Sequence, residues 1–411
     1  MKDMVDVKNF GATGDGLLAE TAVIQNALDT GKIVHFPTGV YRTGTLYLRS
    51  GGGIHLDPDA IILGSTDPAD YNANDFDPRN TFSVKERASG AHLIIAADCE
   101  DITISGAGII SGNRNGIFKT DLVHTPFGNR PRYVLPRWRP GAMLYFAGCR
   151  KIRLEGIILH DPAYWTTLFH DCEDLNIDRI TVQTDRLTNN SDGLDIDCCR
   201  KVRITNCTII SGDDAIAIRG NQRPLKKDAV CSDITVDNCT LSSAACGVRI
   251  GVGNGTIRGC RLSNVKIVNT SIGIGICPSY SPGSCTEITQ VVFENFSISA
   301  NQCFLIVPNW GVDIDDPAIK KVSDLTFRNI EAVGNQASLI VFPHKAGMFQ
   351  NIRFLDSVFT LLPDGTAPRR LHWTSPEFGI INQLDGPEEN ILTNCRGISA
   401  DDKPLLLKKS R

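Results

Sequence analysis

The sequence predicts an all-β fold, a parallel β-helix, from three observations. First, short runs alternate polar and apolar residues: Asp101-Ile102-Thr103-Ile104, Lys151-Ile152-Arg153-Leu154, Asp174-Leu175-Asn176-Ile177, Lys201-Val202-Arg203-Ile204, Asp233-Ile234-Thr235-Val236 and Asn264-Val265-Lys266-Ile267. They continue more weakly at Asp324-Leu325-Thr326-Phe327 and Asn351-Ile352-Arg353-Phe354. Alternation is the period of a strand with one buried face. Second, the runs recur: from Ile152 to Leu175, Val202, Ile234 and Val265 the steps are 23, 27, 32 and 31 residues. Third, no helical pattern fills the gaps, which hold second short apolar runs and then Gly, Asn or Asp. Short strands and turns at such a period describe a solenoid. The leucine spacing of leucine-rich repeats is absent, and stacked sandwiches would need a hairpin signal every ~8–12 residues.

Taken in order, the elements fit one domain over 1–411. A helix is expected at about 20–31, where Ala22, Ile24, Ala27 and Leu28 form an apolar stripe and Gly31 stands at the C-cap. A solenoid exposes an apolar end, so this helix is read as its cap. Residues 113–140 break the repeat with Asn113-Arg114-Asn115-Gly116 and a run of prolines and arginines. A long irregular insertion of this kind is expected to wall a cleft. From about 360 to 411 the chain, with Trp373 and Leu405-Leu406-Leu407, is expected to cap the far end or form a tail.

Composition excludes several functions. The chain has 411 residues and a net charge of −4, with a pI of about 6.1. Without a long basic run there is no electrostatic reason to expect nucleic acid or an anionic membrane. No stretch approaches the ~20 apolar residues of a spanning helix. The start, Met1-Lys2-Asp3-Met4-Val5-Asp6, has no apolar core of a signal peptide. The 14 cysteines lack CxxC pairs, which argues against zinc and thioredoxin-like chemistry. Read as reduced, buried thiols, they favour the cytoplasm; an exported chain whose signal has been removed would read the same.

Two strings carry the chemistry: Asn190-Ser191-Asp192-Gly193-Leu194-Asp195, and then Gly212-Asp213-Asp214-Ala215-Ile216-Ala217-Ile218. With Leu194/Ile196, Ile216/Ile218 and Val248/Ile250 as inward pairs, Asp192 stacks on Asp214 and on Cys246. Asp195 then stacks on Ala217 and on Arg249. Neighbouring coils lie ~4.8 Å apart. Ser211-Gly212 and Gly193 suggest a chain still bending, so the acids are expected to face outward at the strand lip. Asp213 brings a third carboxylate from another direction. Crowded carboxylates push at least one pKa up, leaving an acid beside a base. Glycoside hydrolysis with inversion asks for such a pair, ~6.5–9.5 Å apart. An Asp ladder capping turns and a calcium site are the competing readings. Arg219 and Arg249 are placed on the outward face near the acids, and Trp165 and His170 one coil earlier as a stacking wall.

These motifs resemble the polygalacturonase family, glycoside hydrolase family 28. Its Asn-x-Asp and following Gly-Asp-Asp are met by Asn190-Ser191-Asp192 and Gly212-Asp213-Asp214. The entry Asp6-Val7-Lys8-Asn9-Phe10-Gly11-Ala12 with Asp15-Gly16, Thr21 and Ile24-Gln25 is similar too, as is Pro162-Ala163-Tyr164-Trp165. The likeness covers roughly residues 5–310. It implies a single-stranded right-handed helix, Asp213 as general acid, and Asp192 with Asp214 activating the attacking water. The family's Gly-His-Gly is replaced by Ala245-Cys246-Gly247, and its Arg-Ile-Lys falls on Gly275-Ile276-Cys277. The missing cations make room for an uncharged or differently charged sugar beside the scissile bond, with rhamnogalacturonan-type or other plant oligosaccharides as candidates, unless Arg249 compensates for them.

The expectation is an inverting glycoside hydrolase acting on a pectin-type or related plant oligosaccharide or polysaccharide. Asn190, Asp195, Arg219, Arg249, His170 and Trp165 are the expected substrate contacts. No cofactor and no metal are expected, nor a nucleic-acid or membrane partner. A lyase or epimerase on the same scaffold, and a non-catalytic carbohydrate-binding solenoid, are the alternatives.

Overall fold

Polar–apolar alternation, broken every few residues by a left-handed corner, winds this chain into coils. In the computed structural model, residues 3–72, 77–80, 86–124, 130–280, 284–308, 321–336, 338–340, 349–366, 391–393 and 396–399 are described. The chain divides into two compact units, one of 1–195 with 199–213 and one of 196–198 with 214–411.

In the first unit each coil is three short parallel strands. One coil runs through Leu144–Ala147, Arg150–Glu155 and Ile158–His160; the next through Thr167–His170, Glu173–Asp178 and Thr181–Gln183. Ile102, Ile152, Leu175 and Val202 lie over one another in register, as the repeat predicted. Their side chains are buried, and so is the parallel column Ile104, Leu154, Ile177 and Ile204. Phe146 and Phe169 stack with centroids 5.0 Å apart. The second residue of the middle strand in each coil bends the chain at positive φ: Asp101, Lys151, Asp174 and Lys201 all sit there. Asp tolerates this region because its short polar side chain bonds locally; for Lys it is a strained choice.

The expected helix is Thr21–Leu28, with Ile24, Ala27 and Leu28 buried and Gly31 at φ +67°; Ala22 is exposed. Its Gln25 completes the ladder of the strand Leu46–Tyr47: the amide accepts from Tyr47 N–H at 2.8 Å and donates to Tyr47 C=O at 3.0 Å. The insertion holds a helical turn, Arg114–Ile117, and an antiparallel hairpin pairing Leu122–His124 with Pro131–Tyr133. Hairpin and turn pack on the segment 185–189. Tyr133 O–H and Arg114 both bond Asp185, and the Asn189 amide donates to Tyr133 C=O.

The second unit has longer strands, Val230–Ser243, Cys246–Gly253, Thr256–Cys277, Glu287–Ile306 and Val322–Gln336. One expectation is corrected here. Ile234 pairs with Cys260, followed by Val291, Leu325 and Ile352, whereas Val265 belongs to the next column with Cys239, Phe296 and Ile330. Phe293, Phe327 and Phe354 form a register stack, with centroids 4.7 and 4.4 Å apart, and Phe304 meets Phe327 and Phe354 edge-on. Rungs also occur where a tail was expected: Val358–Leu361 pairs with Arg396–Ser399. Trp373 and Leu405–Leu407 lie outside the described residues. The described cysteines are free thiols, all buried except Cys99. No described helix is long and apolar enough to cross a membrane.

Candidate active site

In the first unit, Ser191 and Gly212 dock the two strings onto each other. Gly212 N–H donates to Thr184 Oγ1 at 2.9 Å and Ser191 Oγ at 3.1 Å, and Asp213 N–H to Ser191 C=O at 3.4 Å. A Cβ on residue 212 would lie 2.3 Å from Ser191 Oγ and 2.6 Å from Thr188 C=O, so only glycine fits. Asp192 is 5% exposed, and its C=O accepts from Thr166 N–H at 2.8 Å. Asp213 is half-buried. Asp195 is fully buried.

Two arginines of the insertion hold this region, and sequence reasoning did not single them out. Arg132 Nη1 donates to the carbonyls of Arg186, Thr188 and Gly212. Arg139 is 0% exposed. Its Nη1 donates to Ala163 C=O at 3.2 Å and Asn189 C=O at 2.9 Å; Nη2 donates to Glu86 C=O at 2.7 Å and Asn190 Oδ1 at 3.0 Å; Nε donates to Arg87 C=O at 3.4 Å. Its guanidinium lies 4.8 Å from the centre of the Tyr164 ring, whose hydroxyl donates to Glu86 Oε2 at 2.7 Å. Arginines gathered on an aperiodic segment were the available signal.

Trp165 stacks on Tyr164, centroids 5.1 Å apart, inside a buried cluster with Tyr145 and Leu168. His170 is fully buried. Both therefore sit in packed positions rather than as faces of an open wall: Trp165 within that cluster, and His170 on the strand Thr167–His170, which is covered on both sides.

The second unit carries Asp214, half-buried, whose Oδ1 accepts from Cys246 N–H at 3.1 Å. The strand Ile216–Gly220 pairs with Cys246–Gly253 in the predicted register, Ile216 on Val248, Ala217 on Arg249 and Ile218 on Ile250. Arg249 faces Gly275 on the following coil. It was expected on the outward face, yet it is 4% exposed and lies 5.2 Å from the centre of the Tyr280 ring. Arg219, also expected outward, is buried, with Nε 3.7 Å from Asp197 Oδ2. A buried carboxylate such as Asp197 needs a compensating charge and N–H donors; Asn221 N–H supplies one at 2.7 Å.

The profile of glycosyl hydrolases family 28 matches residues 70–354. An exo-poly-alpha-D-galacturonosidase of Dickeya chrysanthemi is 26% identical over 257 residues, 52% of this chain and 41% of that protein. The chain thus spans less than half of that relative's length. A probable polygalacturonase of Vitis vinifera is 24% identical over 345 residues, covering 79% of this chain and 67% of that one. A solved hyperthermoactive exopolygalacturonase of Thermotoga maritima superposes with a TM-score of 0.73 at 19% identity, over 95% of this chain and 92% of that one. At that identity the likeness carries the fold, a right-handed parallel β-helix.

Proposed function

From the premise that the chain belongs to glycosyl hydrolases family 28, we propose that it hydrolyses a glycosidic bond in a pectin-type oligosaccharide with inversion. Asp213 gives its proton to the leaving oxygen. Asp192 and Asp214 take one from the attacking water. The observation that carries this reading is the docking of Asn190-Ser191-Asp192 on Gly212-Asp213 through Ser191 and Gly212, with Asp214 following in sequence. A helix corner that admits only glycine fixes where the acids leave the chain, and fixed geometry is what acid–base catalysis on a sugar requires.

A cytoplasmic location belongs to the same reading, favoured by free buried thiols, and cell fractionation tests it. The activity test is turnover of a panel of pectic oligosaccharides, including rhamnogalacturonan fragments, by the wild type and Asp213→Asn. The variant should lose at least ~10³-fold in kcat, and proton NMR of the first-formed sugar should show the inverted anomer. Wild-type-like turnover removes Asp213 from the acid role. A retained anomer removes the water-activating pair, and an unsaturated, ultraviolet-absorbing product marks a lyase instead.

A further inference from the structure

A buried arginine stands behind each of the two aspartates assigned to water activation, each within its own unit. On the reading above, we propose that Arg139 and Arg249 are positioning residues that hold Asp192 and Asp214 in place and balance their charge, without touching substrate.

The case for Arg139 rests on how its donors are spent. A guanidinium has five N–H groups, and all five are used: four go to main-chain carbonyls at 86, 87, 163 and 189, one to the Asn190 side chain. It therefore ties two other stretches of chain, at 86–87 and 163, to the turn at 189–190 that presents Asp192, two residues beyond Asn190. Fully enclosed and fully bonded, it has no donor left for a ligand. Burial pushes its pKa down to about 10, and the charges of Glu86 and Asp192 work against that push. Its positive charge is thus felt at Asp192, and Asn190 supplies the mechanical link.

Arg249 repeats the arrangement with different parts. It shares a strand with Cys246, whose N–H grips Asp214 Oδ1. The ring of Tyr280 lies 5.2 Å from its guanidinium, and the groups that act on its charge are Asp214, Cys246, Cys277 and Tyr280. Burial drives the Cys246 thiol well up and the Cys277 thiol to about 12, so both are neutral. Asp214 is then the carboxylate that compensates the buried cation. Gly275 makes the room: a Cβ there would lie 3.0 Å from Cys246 Sγ and 3.6 Å from Arg249 Cδ. An isolated buried charge is costly, and truncating one partner of a pair leaves the other stranded.

The test compares Arg139→Met and Arg249→Met with the corresponding Lys variants on the oligosaccharide that the wild type turns over. Each Met variant should lose about 10²-fold in kcat with KM within about threefold; each Lys variant should recover at least tenfold of that loss. If Arg139→Met does not fold, Arg139→Gln keeps an N–H donor and drops the charge, and is read in the same way. A rise in KM at unchanged kcat would make either arginine a substrate ligand and overturn the proposal for it. A second readout needs no activity: melting temperatures of Asp214→Asn, Arg249→Met and the double variant, and of Asp192→Asn, Arg139→Met and their double. The losses should be less than additive, as for groups that interact; additive losses overturn the pairing. A wild type that releases no sugar from any pectic substrate removes the functional reading and leaves the melting cycles to decide the pairing.

Discussion

At the scale of single residues, burial decided the outcome where alternation alone could not. The sequence places Arg219 and Arg249 at outward positions of their strands and His170 in a stacking wall, and each was taken to meet solvent or substrate. All three are enclosed. Arg219 meets Asp197, and Arg249 packs against Tyr280 on the strand whose Cys246 N–H holds Asp214. Alternation reports which way a side chain leaves the strand, not what covers it. Arg139 was missed for a different reason: four of its five hydrogen bonds go to main-chain carbonyls, which no sequence pattern encodes. His92 gives a prediction of the same kind. Its Nδ1–H donates to Ala142 C=O at 2.9 Å, Nε2 accepts from the Asn80 amide at 2.7 Å, and its ring stacks on Tyr145. Burial pushes its pKa from 6.5 down to about 4, against smaller opposing effects from Ala142 C=O and Asp77. The unfolded chain then takes up a proton that the folded one refuses. This contribution is complete above pH 6.5 and is lost as the pH falls toward 4, by roughly 3 kcal/mol. Melting temperatures across that window should fall for the wild type and fall less steeply for His92→Gln. Equal slopes would show that His92 does not titrate in this range.

Corners are what the strands depend on. Asx residues at positive φ mark many of them, and they made the repeat readable. The misplaced Val265 shows the limit of that signal. In its own coil the first corner is Gly259, at φ +64°, where the preceding coil has Asp233; the second corner is Asn264, matching Asn238. A reading that follows Asx residues skips the glycine and settles one column too far. Val252 is the corner least suited to its residue, with a β-branched side chain at φ +67°. That conformation costs an L-residue about 1–2 kcal/mol, and Asn is among the side chains that tolerate it. Val252→Asn should therefore stabilise the protein by about 1 kcal/mol in a reversible urea melt, and a lower midpoint would show that packing of the valine outweighs its strain.

Over the whole chain, the solenoid class was legible because each coil repeats one physical problem, burying a narrow apolar face between polar corners. The N-terminal helix and the insertion were legible as departures from that period. What the insertion does was not, since Arg114, Arg132, Tyr133 and Arg139 act through contacts at long sequence separation. Stability in such a stack is carried by nearest neighbours, so the centre of an aromatic column should matter more than its size suggests. Phe327 has parallel rings on both sides and Phe304 against its edge. Phe327→Ala should cost about 3–5 kcal/mol, read as a lowered urea midpoint. A loss below about 1 kcal/mol would mean the column closes over the gap.

The side-chain amide of Gln25 occupies both main-chain bonding positions of Tyr47 that would otherwise receive another strand. An uncovered rung of this kind is a template on which a second molecule can polymerise. One glutamine, held by a two-turn helix, thus helps to keep a fold with the internal order of a fibril from becoming one.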